Sequence, residues 1–224
     1  MTKPVSDPAD RRSFAALARR VRIVPVVTIE RAEDAVPLAQ ALLEGGLPVI
    51  EITLRTQAAL DGIKAIAENV PDAHVGAGTI REPAQGQAAV AAGARFIVSP
   101  GATRLLLDAS KDWGVPYLPG ATTPSEMMRL AERGITFMKL FPAEAIGGLR
   151  LLKSLAAPLQ DLQFCPTGGI GAENAAHYLA LPNVACVGGS WMAPQPALAA
   201  RDWNEITRLA ARAREIAAPD LRPD

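Results

Sequence analysis

The sequence carries no surplus of charge. Lys and Arg total 23, Asp and Glu total 23, and the formal net charge at pH 7 is zero. A chain that grips nucleic acid or lies on an anionic membrane shows a basic face, so neither partner is expected. Histidine is scarce too: His74 and His177 are the two, far apart in sequence. His74 opens a strand-like run and His177 falls in a helical one, so no histidine-built zinc site, and no metal, is expected. The two cysteines, Cys165 and Cys186, lie in apolar strand-like runs. They read as small buried hydrophobes rather than a disulfide. No run of 18 apolar residues occurs, so no segment is expected to span a membrane. The opening "MTKPVSDPADRR" has no apolar stretch, and no secretory signal is read in it. A cytoplasmic location fits these traits.

What is present is an alternation. Eight β-type runs follow one another: "RIVPVVTI" from 22, "PVIEITL" from 48, "HVGAGTI" from 74, "RFIVSPG" from 95, "PYLPGAT" from 116, "ITFMKLFP" from 135, "QFCPTGG" from 163 and "VACVGGS" from 184. Each interval suits a helix and two short loops. "RAEDAVPLAQALLEGG" reads as a helix stopped by Gly45 and Gly46, with Pro37 expected to kink it. "TPSEMMRLAERG" has helix punctuation at both ends. "SFAALARR" reads as an extra helix before the first strand. The expected fold is a single-domain α/β (β/α)8 TIM barrel with that N-terminal helix; an open doubly wound sheet is the competitor. No internal linker is visible. The barrel domain is placed at 13–218, with a flexible tail at 1–12 and another at 219–224.

A barrel keeps its site at the C-terminal ends of its strands. Glu51, Thr53 and Arg55 share one face at the end of the second run. Thr79 ends the third, Ser99-Pro100-Gly101 the fourth, and Lys139 and Phe141 the sixth. Thr167-Gly168-Gly169 ends the seventh and Gly188-Gly189-Ser190 the eighth. Each has a plain reading. A strand-end lysine is often half of a structural ion pair, Glu51 could be its partner, and glycine pairs are often only turns. In combination they say more. Glycine-rich ends on the last two strands suit a phosphate, met by backbone N–H groups and by the hydroxyls of Thr167 and Ser190. "GAGTIR" lacks the third glycine of a dinucleotide fingerprint.

Lys139 is the informative residue. It stands in "ITFMKLFP", on an apolar strand. Lysine is almost never buried without a partner. An apolar interior disfavours the ammonium and favours the neutral amine that attacks a ketone. Glu51 is expected close enough to move protons, through one water, rather than locked in a tight ion pair.

The motifs "EITLRT", "VGAGT", "SPG", "FMKLFPAE", "CPTGGI" and "VGGSW" occur in that order. Together, from about residue 20 to about 215, the chain resembles the 2-keto-3-deoxy-6-phosphogluconate (KDPG) and 4-hydroxy-2-oxoglutarate (KHG) aldolase family. The resemblance implies a Schiff-base aldolase of the Entner–Doudoroff type. It releases pyruvate from the phosphorylated sugar acid, or from 4-hydroxy-2-oxoglutarate. Lys139 would be the imine-forming lysine and Glu51 the acid/base. Arg55, Thr79 and Pro100 would line the pyruvate and substrate site, with Phe141 beside the imine. Thr167, Gly168, Gly169, Gly189 and Ser190 would hold the distal phosphate. Some relatives supply an arginine where Thr28 stands, leaving that charge role to Arg55. The resemblance also implies a homotrimer without cofactor or metal. Two other readings stay open on the same barrel: a phosphosugar isomerase or decarboxylase, and a non-catalytic phosphosugar-binding protein.

Overall fold

The computed structural model describes residues 8–217. It is an α/β fold built on a curled sheet in which every pairing is parallel. The strands are β1 (Ile23–Val27), β2 (Val49–Thr53), β3 (His74–Gly78), β4 (Ile97–Val98), β5 (Tyr117–Leu118), β6 (Gly120–Ala121), β7 (Phe137–Leu140), β8 (Gln163–Pro166) and β9 (Val187–Gly189). One sheet runs β5-β4-β3-β2-β1-β9 and a second runs β6-β7-β8. Isolated bridges Phe164–Val184 and Thr167–Gly188 connect the two at the β8 side. The fifth run is thus two pieces, β5 and β6, split at Pro119. Proline has no N–H to give to a ladder, yet its carbonyl still accepts from the Lys139 N–H at 2.9 Å.

Helices α2 (Ala35–Glu44), α3 (Ala59–Asn69), α4 (Pro83–Ala91), α5 (Arg104–Ala109), α6 (Pro124–Ala131), α7 (Gly148–Leu155) and α8 (Ala175–Leu179) separate the successive runs. Helix α1 (Pro8–Val21) precedes β1, and α9 (Gln195–Ala200) and α10 (Trp203–Ala217) follow β9. The tail expected at 1–12 lies outside the described residues for 1–7, and α1 already begins at Pro8; 219–224 also lies outside them. Local chemistry explains the helix ends. Thr123 caps α6: its hydroxyl accepts from the Glu126 N–H at 3.3 Å, and the Glu126 carboxylate accepts from the Thr123 N–H at 2.8 Å. That reciprocal pair satisfies two otherwise orphan donors. Pro37 does not break α2. It sits in the first turn, where N–H groups have no intrahelical partner. Gly46, at φ +86°, ends that helix in a conformation open to glycine.

Strand alternation sorts the buried residues into two layers. Ile50 and Ile52 on β2, Met138 and Leu140 on β7 and Phe164 on β8 face the helices, packing with Leu38, Leu42, Ile63 and Leu152. Val49, Phe96, Val98, Leu118, Cys165 and Cys186 fill the concave side. Phe14, Ala18 and Val21 of α1 complete that inner cluster, at helical spacing. Both cysteines are free thiols. Glu51 and Lys139 fall on the same concave side by the same alternation. Ile135, two steps before Phe137, packs with the outer layer, because β7 begins only at Phe137.

The N-terminal end of the concave core holds an aromatic stack. Phe14 lies 4.5 Å from Phe96 and 6.3 Å from His74 between ring centroids, and His74 lies 5.7 Å from Phe96. His74 Nε2 is buried without a hydrogen-bond partner. Burial first, and the nearby Arg95 second, hold this imidazole below its usual range. The unfolded chain therefore takes up a proton below about pH 6.5 that the folded chain refuses. Stability attached to His74 is present above pH 6.5 and falls as pH drops through the folded value. Replacing His74 by Phe should flatten the pH dependence of unfolding free energy below pH 6.5. The difference between the two proteins should rise by up to about 1.4 kcal/mol per pH unit. Parallel stability–pH curves in denaturant titrations would contradict this.

Candidate active site

Lys139 and Glu51 meet inside the curl. Lys139 Nζ donates to Glu51 Oε1 at 3.2 Å, and both residues are about 95% hidden, at 5% and 3% exposure. The water-bridged arrangement expected from the sequence is replaced by direct contact. The reason is burial: an unpaired charge there costs several kcal/mol, and direct pairing offsets much of it. The Phe141 ring lies 5.4 Å from Nζ, so the ammonium also faces an aromatic surface.

The strands make room for this pair. Glu51 is opposite Gly76 and Thr53 is opposite Gly78 in the β2–β3 register. A Cβ on Gly78 would stand 2.0 Å from Glu51 Oε1, and one on Gly76 would meet the Phe96 ring at 2.4 Å. The two glycines of "GAG" therefore clear the interior for a carboxylate and a ring. On the other side Lys139 is in register with Gly120 and Cys165. The Cys186 thiol is pushed up by its hydrogen bond with Cys165 and by burial, which keeps it a neutral filler of the concave core.

A cavity of about 450 Å³ opens at the C-terminal strand ends; Thr53 and Phe141, each two residues beyond Glu51 and Lys139, line it, while the buried pair itself lies outside its wall. Arg55, Phe141, Thr167, Gly168, Gly169, Gly189 and Ser190, all anticipated from the sequence, line it. Thr53, one inward step beyond Glu51, forms part of its floor and bonds the Thr28 hydroxyl at 2.7 Å. Thr79 is not in the wall, but its hydroxyl accepts from Arg55 Nε at 3.2 Å. Thr79 holds φ +61°, a strained value for a β-branched residue. Pro100 is separate from the cavity wall. Its carbonyl packs against Gly120, the residue facing Lys139 in register. Gly168 and Gly169 turn at φ +100° and +77°. Glu144 packs against Gly169 and accepts from the Tyr178 hydroxyl, whose proton is held tightly by burial and by that carboxylate.

Sequence reading missed Pro194, Gln195 and Leu198 at α9, which close one side of the cavity. The signal was available: a short extra helix after the last barrel strand commonly completes a phosphate site. It also missed Asn174, Glu144 and Tyr178 behind the glycine turn. Among the described residues no group of three or more His, Cys, Asp or Glu side chains is placed to hold a metal ion, and no helix is long and apolar enough to cross a membrane.

The KDPG and KHG aldolase profile matches residues 15–209. This chain belongs to the KDPG/KHG aldolase family. It is 52% identical over 191 residues to the 2-dehydro-3-deoxy-phosphogluconate aldolase of Pseudoalteromonas atlantica, covering 85% of this chain and 89% of that one. It is 48% identical over 193 residues to the KHG/KDPG aldolase of Escherichia coli, covering 86% and 91%. Its fold superimposes on the KDPG aldolase of Legionella pneumophila with a TM-score of 0.86 at 44% identity, covering 88% and 96%. That structure holds pyruvate as a covalent carbinolamine intermediate. The Zymomonas mobilis KDPG aldolase with 3-phosphoglycerate gives a TM-score of 0.84 at 42% identity, covering 92% and 97%. The family makes this chain a lyase and sets aside the isomerase, decarboxylase and non-catalytic readings.

The space over Glu51 yields a test within the family. In Gly78→Ala the new methyl must displace the carboxylate from its present place beside Lys139. The clash falls on the end of a flexible side chain, so the fold should survive with a small loss of melting temperature. Turnover should fall about 10²-fold, the low end of what a displaced acid/base costs. Wild-type turnover with the melting temperature unchanged would show that the carboxylate position is not set by Gly78.

Proposed function

We propose that this protein is a class I aldolase that cleaves 2-keto-3-deoxy-6-phosphogluconate to pyruvate and glyceraldehyde 3-phosphate. It also cleaves 4-hydroxy-2-oxoglutarate to pyruvate and glyoxylate. The observation that carries this reading is the buried Lys139–Glu51 contact at 3.2 Å beneath the cavity. Lys139 is the nucleophile. Its ammonium passes a proton directly to Glu51, and the neutral amine adds to the keto carbon. Glu51 gives that proton to the carbinolamine hydroxyl, which leaves as water; the carboxylate is restored and the protonated imine becomes an electron sink for the C3–C4 bond. Glu51 then takes the C4 hydroxyl proton as that bond breaks, and returns a proton to C3 of the enamine. Hydrolysis releases pyruvate and restores the lysine. The covalent carbinolamine in the Legionella relative supports the same first step here. No metal or cofactor enters this chemistry.

Arg55, tethered to Thr79, supplies positive charge for the substrate carboxylate, Pro100 shapes the loop beside it, and Phe141 packs against the imine. Thr167, Gly168, Gly169, Gly189 and Ser190 take the distal phosphate. The 3-phosphoglycerate bound by the Zymomonas relative supports a phosphorylated ligand for this site. We read the curled sheet as a closed single-domain (β/α)8 barrel over 13–218, with α1 as an extra N-terminal helix at its lower end. The bridges between the β8 and β9 sides, and the shared run of β5 and β6, support that closure. The enzyme works as a homotrimer in the cytoplasm.

Glu51→Gln tests the assignment. It keeps shape and hydrogen bonding but cannot carry the proton. Turnover on the phosphorylated substrate should fall by about 10²–10⁴-fold, measured by pyruvate release. Turnover near wild type would move the proton role to another group.

A further inference from the structure

The glycine turn after β8 is held from behind by groups outside the cavity wall. Ala143 N–H donates to the Thr167 carbonyl at 2.9 Å and Glu144 N–H to the Gly168 carbonyl at 3.1 Å. Asn174 Nδ2 donates to the Gly169 carbonyl at 3.1 Å, and its Oδ1 accepts from the Gly171 N–H at 2.9 Å. Three successive carbonyls are thus drawn to one side.

In a trans peptide the carbonyl of one residue and the N–H of the next point in opposite directions. Drawing back the carbonyls of Thr167, Gly168 and Gly169 therefore turns the N–H groups of Gly168, Gly169 and Ile170 the other way. All three residues line the cavity. Among the described residues, none of these three N–H groups has a hydrogen-bond acceptor. A row of unpaired backbone N–H groups on a concave turn is an anion-binding nest. Two of the three restraints come from backbone and persist under substitution. The third is a side chain.

We propose that Asn174 is a positioning residue for phosphate: by holding the Gly169 carbonyl back, it aims the Ile170 N–H into the cavity. It touches the anion only through that peptide plane. The inference rests on the phosphate reading given above, and it assigns to Asn174 a share of the specificity for phosphorylated substrates.

Two variants test it. Asn174→Ala removes both side-chain bonds. Asn174→Asp keeps an oxygen to accept from the Gly171 N–H but has no N–H to give the Gly169 carbonyl, which preserves the turn leading into α8. Kinetics on the phosphorylated and the short, phosphate-free substrate are compared, and the Kd of inorganic phosphate is measured by calorimetry. Both variants should raise KM for the phosphorylated substrate and the phosphate Kd by about tenfold, the worth of one lost hydrogen bond. Their kcat, and all parameters on 4-hydroxy-2-oxoglutarate, should hold. Equal losses on both substrates would overturn the proposal, as would wild-type phosphate affinity in the variants. A wild-type protein that neither binds inorganic phosphate nor prefers the phosphorylated substrate would overturn the phosphate reading itself, and this inference with it.

Discussion

The buried Lys139–Glu51 pair is the constraint around which the structure is arranged. Two charges in a concave apolar interior are tolerated only with a partner, good geometry and further polar or aromatic contact. β7 supplies the ammonium and β2 the carboxylate, and these strands belong to different segments of the sheet. The curl brings them together. Gly76 and Gly78 open the space that a carboxylate needs, and Phe141 covers the ammonium from the side of the cavity. A buried pair of this kind stabilises the fold little against a hydrophobic replacement. In the proposed reaction its value is chemical: a proton would move between amine and carboxylate without crossing solvent.

The two parts of the site are built differently. The buried Lys139–Glu51 pair sits in mid-strand, where ladder bonds on both sides fix the backbone. The groups proposed to face the anion sit on turns, fixed by hydrogen bonds from outside the cavity. Chemistry at the imine demands tight distances, so rigid strands suit it. A phosphate is a diffuse acceptor, and a row of N–H groups and hydroxyls suits it better than one positioned side chain. In the proposed reaction, that separation would let one lysine serve substrates that do or do not reach the turns.

Much of this was legible in the sequence because it rests on periodicity. Strand alternation put Lys139 and Glu51 on the concave side, and Gly–Gly pairs marked the last strand ends. Thr123 and Glu126 announced their helix by spacing alone. What escaped depends on contact between distant segments. The direct Lys139–Glu51 contact follows from mutual burial, which spacing does not report. "GAG" was legible as a failed nucleotide motif but not as space for a carboxylate 27 residues upstream of Gly78, since only the β2–β3 register reveals that. Pro119 divides the fifth run because a missing N–H matters only once the neighbouring strand is known. Asn174 gave no signal, because its role lies in the peptide plane it holds and not in a motif.

In the proposed reaction the buried amine of Lys139, and no other lysine, bonds to the keto carbon. The direct measurement is peptide mass spectrometry after incubation with pyruvate and borohydride, which reduces an imine to a stable amine. A pyruvate-derived mass is expected on the peptide containing Lys139, absent from Lys139→Ala, which should also lose turnover. An adduct confined to another lysine, or full activity in Lys139→Ala, would contradict it.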